Sequence, residues 1–267
     1  MDNLTYHYKT DKPNQLRRIE DAEEISVTGE DIGTQTETNN YIYNSIGQLT
    51  RSKDELTDYI YNASGLVTEV KQNNITRVKF DYNDKGFRVK KTAYTSTGAL
   101  ANETYYIRDA AGSPMAIYTP QTGVTSQAST EHPIYGASRL GVYNKNSNTS
   151  VYQFTDHLGN VRAVVGKTAS GQVLTTANSA TDYYPFGMPM PNRQIVNGEP
   201  YRYAYQGQEK DPETGKEAFQ LRLWDGRIGR WLTTDPAGQY ASPYLGMGND
   251  PINGIDPDGG YKTRIGA

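Results

Sequence analysis

The sequence predicts an all-β protein made of antiparallel hairpins, and three observations predict it. One short unit recurs: Tyr41-Ile42-Tyr43-Asn44-Ser45-Ile46-Gly47-Gln48-Leu49, then Tyr59-Ile60-Tyr61-Asn62-Ala63-Ser64-Gly65-Leu66, then Phe80-Asp81-Tyr82-Asn83-Asp84-Lys85-Gly86-Phe87. A degenerate copy stands at Tyr6-His7-Tyr8. Tyrosine dominates the aromatics, with 22 Tyr against 5 Phe and 2 Trp, although only 35% of the chain is hydrophobic. Helical periodicity is weak along the whole length.

Each part of the unit has a structural meaning. Alternation places both rings of an aromatic-x-aromatic triplet on one face of a strand. Asn followed three positions later by Gly supplies a turn that tolerates left-handed backbone. An apolar residue then resumes alternation, as in Leu66-Val67-Thr68-Glu69-Val70. Tyrosine suits such strands because it buries a large ring while its hydroxyl finds a partner. The spacing is 18 residues from Tyr43 to Tyr61 and 21 from Tyr61 to Tyr82. A run of hairpins of this kind makes a long sheet, and winding it into a spiral would remove most of its open edges.

The order along the chain follows. Residues 1–103 read as the repeat strip and 104–200 as continuing strands with polar loops, Gly123 to Glu131 and Asn144 to Ser150 among them. Tyr152 to Val165 reads as a hairpin turning at Leu158-Gly159-Asn160. Residues 201–260 are dense in Gly, Pro, Asp and aromatics, with a weak helix signal at Ser242 to Gly246. Residues 261–267 begin a further segment.

Composition excludes several classes. The net charge of −3 has both signs scattered, so no nucleic-acid surface is expected. The absence of cysteine rules out disulfides, thiolate metal sites and a cysteine nucleophile. No metal-ligand spacing or phosphate-binding glycine loop occurs, so no metal or cofactor is expected. No apolar run reaches the roughly 18 residues of a membrane span. The amino terminus lacks the basic and apolar regions of a signal peptide, which suggests a piece of a longer exported chain.

The hairpin units resemble YD repeats. Thr155-Asp156-His157-Leu158-Gly159-Asn160, Asp182-Tyr183-Tyr184-Pro185-Phe186-Gly187, Tyr205-Gln206-Gly207-Gln208-Glu209, Leu221-Arg222-Leu223-Trp224-Asp225 and Ile228-Gly229-Arg230-Trp231-Leu232 are similar to the RHS repeat-associated core. So are Asp235-Pro236-Ala237-Gly238 and Asn249 to Gly259. The resemblance implies a β-strip wound into a hollow shell, closed by a core plug with short irregular or helical pieces. RHS shells of this kind enclose a C-terminal toxin, which the plug frees as a single-turnover aspartyl autoprotease. The dialect of these motifs looks like that of Bacteroidetes proteins. The implied partners are that toxin or effector and an upstream shell or secretion-system component. The implied place is outside the cell or on its surface.

Two Asp-Pro-x-Gly motifs carry the chemistry. Two carboxylates a few ångströms apart cannot both ionise, so they share a proton and act as a base and an acid. Proline fixes the backbone after each Asp, and glycine allows the tight turn that aims the carboxylate. The resemblance puts the catalytic pair at Asp235 and Asp256, with the cut beside Gly260 and Tyr261. The aspartates stand 21 residues apart, one fewer than is common in the family. Thr234 precedes the first, and the nearest arginine is Arg230, the candidate supporting charge.

Other residues read more simply. Asp225, Asp250 and Asp258 read as turn or surface acids, and His7, His132 and His157 as non-catalytic. Trp224 and Trp231 read as core rather than a sugar platform. Two alternatives stand beside the autoprotease. One is a structural or adhesive module in which the aspartates only make turns. The other is an incomplete shell fragment needing upstream strands or a partner chain.

Overall fold

The computed structural model describes residues 3–22, 32–33, 35–120, 129–168, 170–198 and 200–264. A first hairpin pairs β1 (Leu4–Tyr8) with β2 (Leu16–Asp21). The main sheet is a fourteen-stranded antiparallel meander in strict chain order. Its strands are β3 (Tyr41–Tyr43), β4 (Leu49–Ser52), β5 (Thr57–Tyr61), β6 (Val67–Gln72), β7 (Ile75–Tyr82), β8 (Arg88–Tyr94) and β9 (Leu100–Arg108). They continue as β10 (Pro114–Thr119), β11 (Ser129–Tyr135), β12 (Arg139–Asn144), β13 (Thr149–Thr155), β14 (Val161–Thr168), β15 (Val173–Tyr183) and β16 (Pro189–Val196). A four-stranded sheet follows: β17 (Glu209–Asp211), β18 (Lys216–Ala218), β19 (Leu223–Asp225) and β20 (Arg230–Trp231). β21 (Gly254–Ile255) pairs with β22 (Thr263–Arg264).

The repeated turn has one geometry. Asn44 N–H donates to Gln48 O, Gly47 N–H returns to Asn44 O, and Asn44 Oδ1 accepts from the backbone of Ile46 and Gln48. The same bonds recur at Asn62, Asn83, Asp109 and Asp156, each with a glycine of positive φ three residues on. A register shift precedes several of these turns, between Ile42 and Tyr43, Ile60 and Tyr61, and Asp81 and Tyr82. Such bulges increase the local right-handed twist.

The tyrosines are used individually. The residue before a turn donates its side chain to the carbonyl just past the previous turn of that edge. Tyr61 OH reaches Leu49 O, Tyr82 OH reaches Val67 O, and Arg108 Nε takes the same role on Arg88 O. This explains Tyr rather than Phe: the ring is buried, and the hydroxyl ties hairpin to hairpin. Desolvation pushes the Tyr43 and Tyr59 phenols well up.

The sheet curls around the module formed by residues 201–260. Fourteen strands at about 4.8 Å would make a flat ribbon about 60 Å wide, whereas sixty residues fold to under about 30 Å across. Yet that module touches the first hairpins, the middle of the sheet and its far strands. Tyr244 donates to Gly47 O at 2.7 Å, Arg88 meets Asp211 at 2.8 Å, and Tyr203 packs with Val142, Val161 and Val164. A second core inside the module joins Tyr205, Phe219, Trp224, Trp231 and Met247. The two tryptophans meet edge to face with centroids 4.9 Å apart, and both are core residues.

Several expectations change. The weak helix signal at Ser242 to Gly246 yields no helix; a single 3-10 turn follows at Met247–Asn249, with all three residues at positive φ. Of the polar stretch from Gly123 to Glu131, residues 123–128 lie outside the described residues, while Ser129 to Glu131 belong to β11. Asn144 and Thr149 close β12 and open β13, so only the turn between them is loop. Asp225 is no surface acid. It is buried, bonded to Lys216 Nζ and to Arg227 at 2.8 and 3.0 Å, and Arg227 also reaches Glu55 at 2.6 Å. A turn acid looks the same in sequence whether its turn faces water or a buried cation.

Beside this cluster Glu217 is buried, and its Oε2 has no hydrogen-bond partner among the described residues. Burial pushes its carboxyl up to about 8, with Asp225 adding to the shift and Lys210 opposing it. The folded state therefore keeps a proton that the unfolded chain releases near pH 4.5. Stability falls as pH rises between those values, by up to about 1.4 kcal/mol per unit. Glu217→Gln is expected to remove that slope. Urea unfolding at pH 5 and 7.5 checks this; an unchanged slope in the variant would place the titration elsewhere.

Candidate functional site: two aspartates on one buried arginine

The two Asp-Pro-x-Gly motifs form similar turns. Asp235, just past β20, accepts the backbone N–H of Ala237 at 3.0 Å and of Gln239 at 2.9 Å. Asp256, directly after β21, accepts those of Gly259 at 2.7 Å and Gly260 at 3.1 Å. Gly259 has φ +86°, and a Cβ there would lie 3.0 Å from Phe219 Cβ, so that turn requires glycine.

These turns converge. One guanidinium nitrogen of Arg222 lies 3.5 Å from Asp235 Oδ1 and 3.6 Å from Asp256 Oδ2, and all three side chains are 4% exposed. The two carboxylate oxygens are therefore no more than about 7 Å apart, the two distances laid end to end. Arg222 Nε donates to Gly259 O, and the guanidinium lies 4.2 Å from the Trp231 ring centroid. Burial draws Arg222 down to about 10, opposed by Asp235 and Asp256, so it stays cationic at neutral pH. Burial raises the Asp256 carboxyl above its ordinary value, with Asp258 adding to the rise, while the Gly259 N–H and Arg222 oppose it.

The residues expected beside the pair are thus partly replaced. Arg230 faces away from it: it donates to Gly229 O at 2.8 Å, Asn249 Oδ1 at 3.2 Å and Tyr8 OH at 3.2 Å, and stacks on Tyr6. The central cation is Arg222, eight residues earlier in the chain, immediately before β19. Its signal was present in Leu221-Arg222-Leu223, because an arginine between two leucines that enter a buried strand needs an internal anion.

The segment around the proposed cut is held by backbone contacts. Gly260 N–H also meets Asp258 Oδ1 at 2.9 Å, and Tyr261 is exposed. Gln239 accepts the Lys262 N–H at 2.7 Å and donates to Lys262 O at 3.3 Å. Beyond it, Thr263 and Arg264 pair with Ile255 and Gly254. The histidines stand apart from the pair: His7 meets Glu20, His132 stacks on Tyr143, and His157 contacts Ile252 O. Among the described residues no group of three His, Asp or Glu is placed to hold a metal ion. No helix among them is long and apolar enough to cross a membrane.

A family model described as the teneurin YD-shell matches residues 1–243. The chain belongs to this YD-shell family. Its similarity extends to salivary gland surface protein 1 of Aedes aegypti, 33% identical over 193 residues, covering 70% of this chain and 6% of that protein. The tRNA3(Ser)-specific nuclease WapA of Bacillus spizizenii is 26% identical over 192 residues, covering 70% and 8%. Toxin subunit YenC1 of Yersinia entomophaga is 34% identical over 97 residues, covering 33% and 10%. The YD-shell chain thus spans about a tenth or less of these relatives. In fold it is similar to the TcdB2-TccC3 structure lacking the hypervariable C-terminal region, with TM-score 0.68 and 18% identity, over 97% of this chain and 13% of that one. The nearly all-antiparallel architecture is that of the YD-shell fold.

Proposed function

We propose that this chain is the end of a YD/RHS shell that encloses a C-terminal toxin or effector and frees it by cutting its own backbone. The observation that carries the reading is the meeting of Asp235 and Asp256 on Arg222, with the Gly259–Gly260 peptide bond on the same groups. Asp235 is the base that takes a proton from water. The water oxygen attacks the Gly259 carbonyl carbon, whose oxygen Arg222 Nε stabilises as charge develops. Asp256, whose hold on a proton burial strengthens, in its acid form gives that proton to the Gly260 nitrogen as the C–N bond breaks. The products are a carboxylate on Gly259 and an amine on Gly260. The cut lies inside the window from Gly259 to Tyr261 that the sequence suggests.

The similarities support the partners in this reading. One relative is named a toxin subunit, another a nuclease, and the similar solved structure is described as lacking a hypervariable C-terminal region. The cargo is then the segment downstream of residue 260. Upstream strands or a secretion-system component complete the enclosure, outside the cell or on its surface. The competing reading is an adhesive or structural module, favoured by the ordinary turn bonds that both aspartates make.

Intact mass of the chain with its natural downstream residues decides between them. Wild type is expected to split, leaving an N-terminal product that ends at Gly259. Asp235→Asn and Asp256→Asn are expected to stay whole. A wild-type chain that stays whole would leave the aspartates as turn residues and bring the structural module forward.

A further inference from the structure

The backbone N–H of Asp256 donates to Gln206 Oε1 at 2.8 Å in a buried contact. Gln206 holds φ +49°, a left-handed conformation unusual for a side chain of its kind. It is kept there by its own N–H, which donates to Asn160 Oδ1 at 2.8 Å. Asn160 is 4% exposed and is fixed in turn by Asp156, through Nδ2 at 2.9 Å and its backbone N–H at 3.1 Å. Asp156 and Asn160 open and close the turn between β13 and β14. Gly159 of that turn packs on the Gln206 backbone, so that an added Cβ would stand 3.7 Å from its carbonyl carbon.

The hairpin itself does not need Asn160. The matching position is Leu66, Phe87, Ala99 or Ser113 in other turns, where only the backbone N–H is used, and Gln48 in the first, whose side chain accepts from Asn44 Nδ2. The asparagine side chain serves both elements: its Nδ2 bonds Asp156 within the turn, and its Oδ1 reaches out to Gln206. Three hydrogen bonds, two of them buried, therefore run from a turn of the large sheet to the backbone N–H of one aspartate of the pair, across 100 residues of chain.

We propose that Asn160 and Gln206 are positioning residues for Asp256, and that docking of the β13–β14 turn onto the plug licenses self-cleavage. The inference rests on the autoprotease reading given above. Before the turn docks, the Asp256 N–H has no ordered Gln206 acceptor, and its distance from Asp235 is left to Arg222 and to bonds within the plug. The cut then waits until the strands around the plug are in place. Misplacing a reacting group by about 1 Å costs up to about 100-fold in rate.

The test follows cleavage over time by intact mass, in the chain with its natural downstream residues. Asn160→Ala and Gln206→Ala are expected to slow cleavage about 10- to 100-fold. Tyr106→Phe removes a plug-to-sheet bond to Glu209, 2.7 Å long, that lies outside this relay. It is expected to cleave at the wild-type rate even where its thermal stability falls equally. Gln206→Glu keeps an acceptor oxygen and adds a negative charge near Asp256. It should recover much of the rate and shift the alkaline limb of the pH profile upward by roughly one unit. Alanine variants that cleave at the wild-type rate, or slow only as Tyr106→Phe does at equal stability, overturn the proposal alone. A wild-type chain that never cleaves removes this proposal together with the autoprotease reading.

Discussion

Replacing Arg222 with methionine is expected to stop self-cleavage and to cost the fold about 3–5 kcal/mol. The guanidinium is buried between Asp235 and Asp256, bonds the Gly259 carbonyl and stacks on Trp231. Methionine fills a similar volume but leaves carboxylates without a cation in a site closed to water. The penalty is their desolvation, not the lost attraction alone. Asp256 also moves further up, because Arg222 is one of the influences lowering it. Arg222→Lys restores a charge without the planar fork, so it cannot hold two carboxylates and a carbonyl together; partial stability with slow cleavage is expected. Intact mass and urea unfolding read both effects. In the wild type, cleavage falls as pH rises through the raised pKa of Asp256, because the acid form is lost. A methionine variant that cleaves normally would show that the arginine is only structural.

The second large effect concerns the contact between plug and sheet. Asp211 is fully buried and accepts two bonds from Arg88, at 2.8 and 3.0 Å, and one from Lys91 at 3.4 Å. Lys91 also meets Glu213 at 3.2 Å, and Arg202 bridges Glu209 and Glu131. Asp211→Ala leaves a buried guanidinium with no carboxylate fork, an expected loss of about 3–5 kcal/mol. Pairing Arg88→Met with Asp211→Leu is expected to recover most of it, because a matched apolar pair has no charge to desolvate. A double-mutant cycle in urea measures the coupling. A loss under about 1 kcal/mol for Asp211→Ala would mean that water reaches the cluster. Since this cluster fastens the plug to β8, the same variant should also expose residues 201–260 to limited proteolysis.

The hairpins were legible because their determinants are local. Alternation with period two, and an Asn or Asp three residues before a Gly, act within one turn, and Asn44, Asn62 and Asn83 each close their hairpin by bonds spanning four residues. The aspartate pair was legible for the same reason, as a motif written twice. Its spacing of 21 residues constrained little, because the chain from Asp235 to Asp256 is mostly irregular and pinned at both ends by the turns themselves. What only the tertiary structure decided is which side chains meet across long stretches of chain. It placed Arg222 rather than Arg230 at the pair, buried Asp225 among cations, and joined Asn160 to Asp256 through Gln206. A charge on a strand carries no mark of which distant element will cover it. Its partner follows from how the sheet curls around the plug, and that curvature is the sum of many twists and bulges with no single residue as its sign.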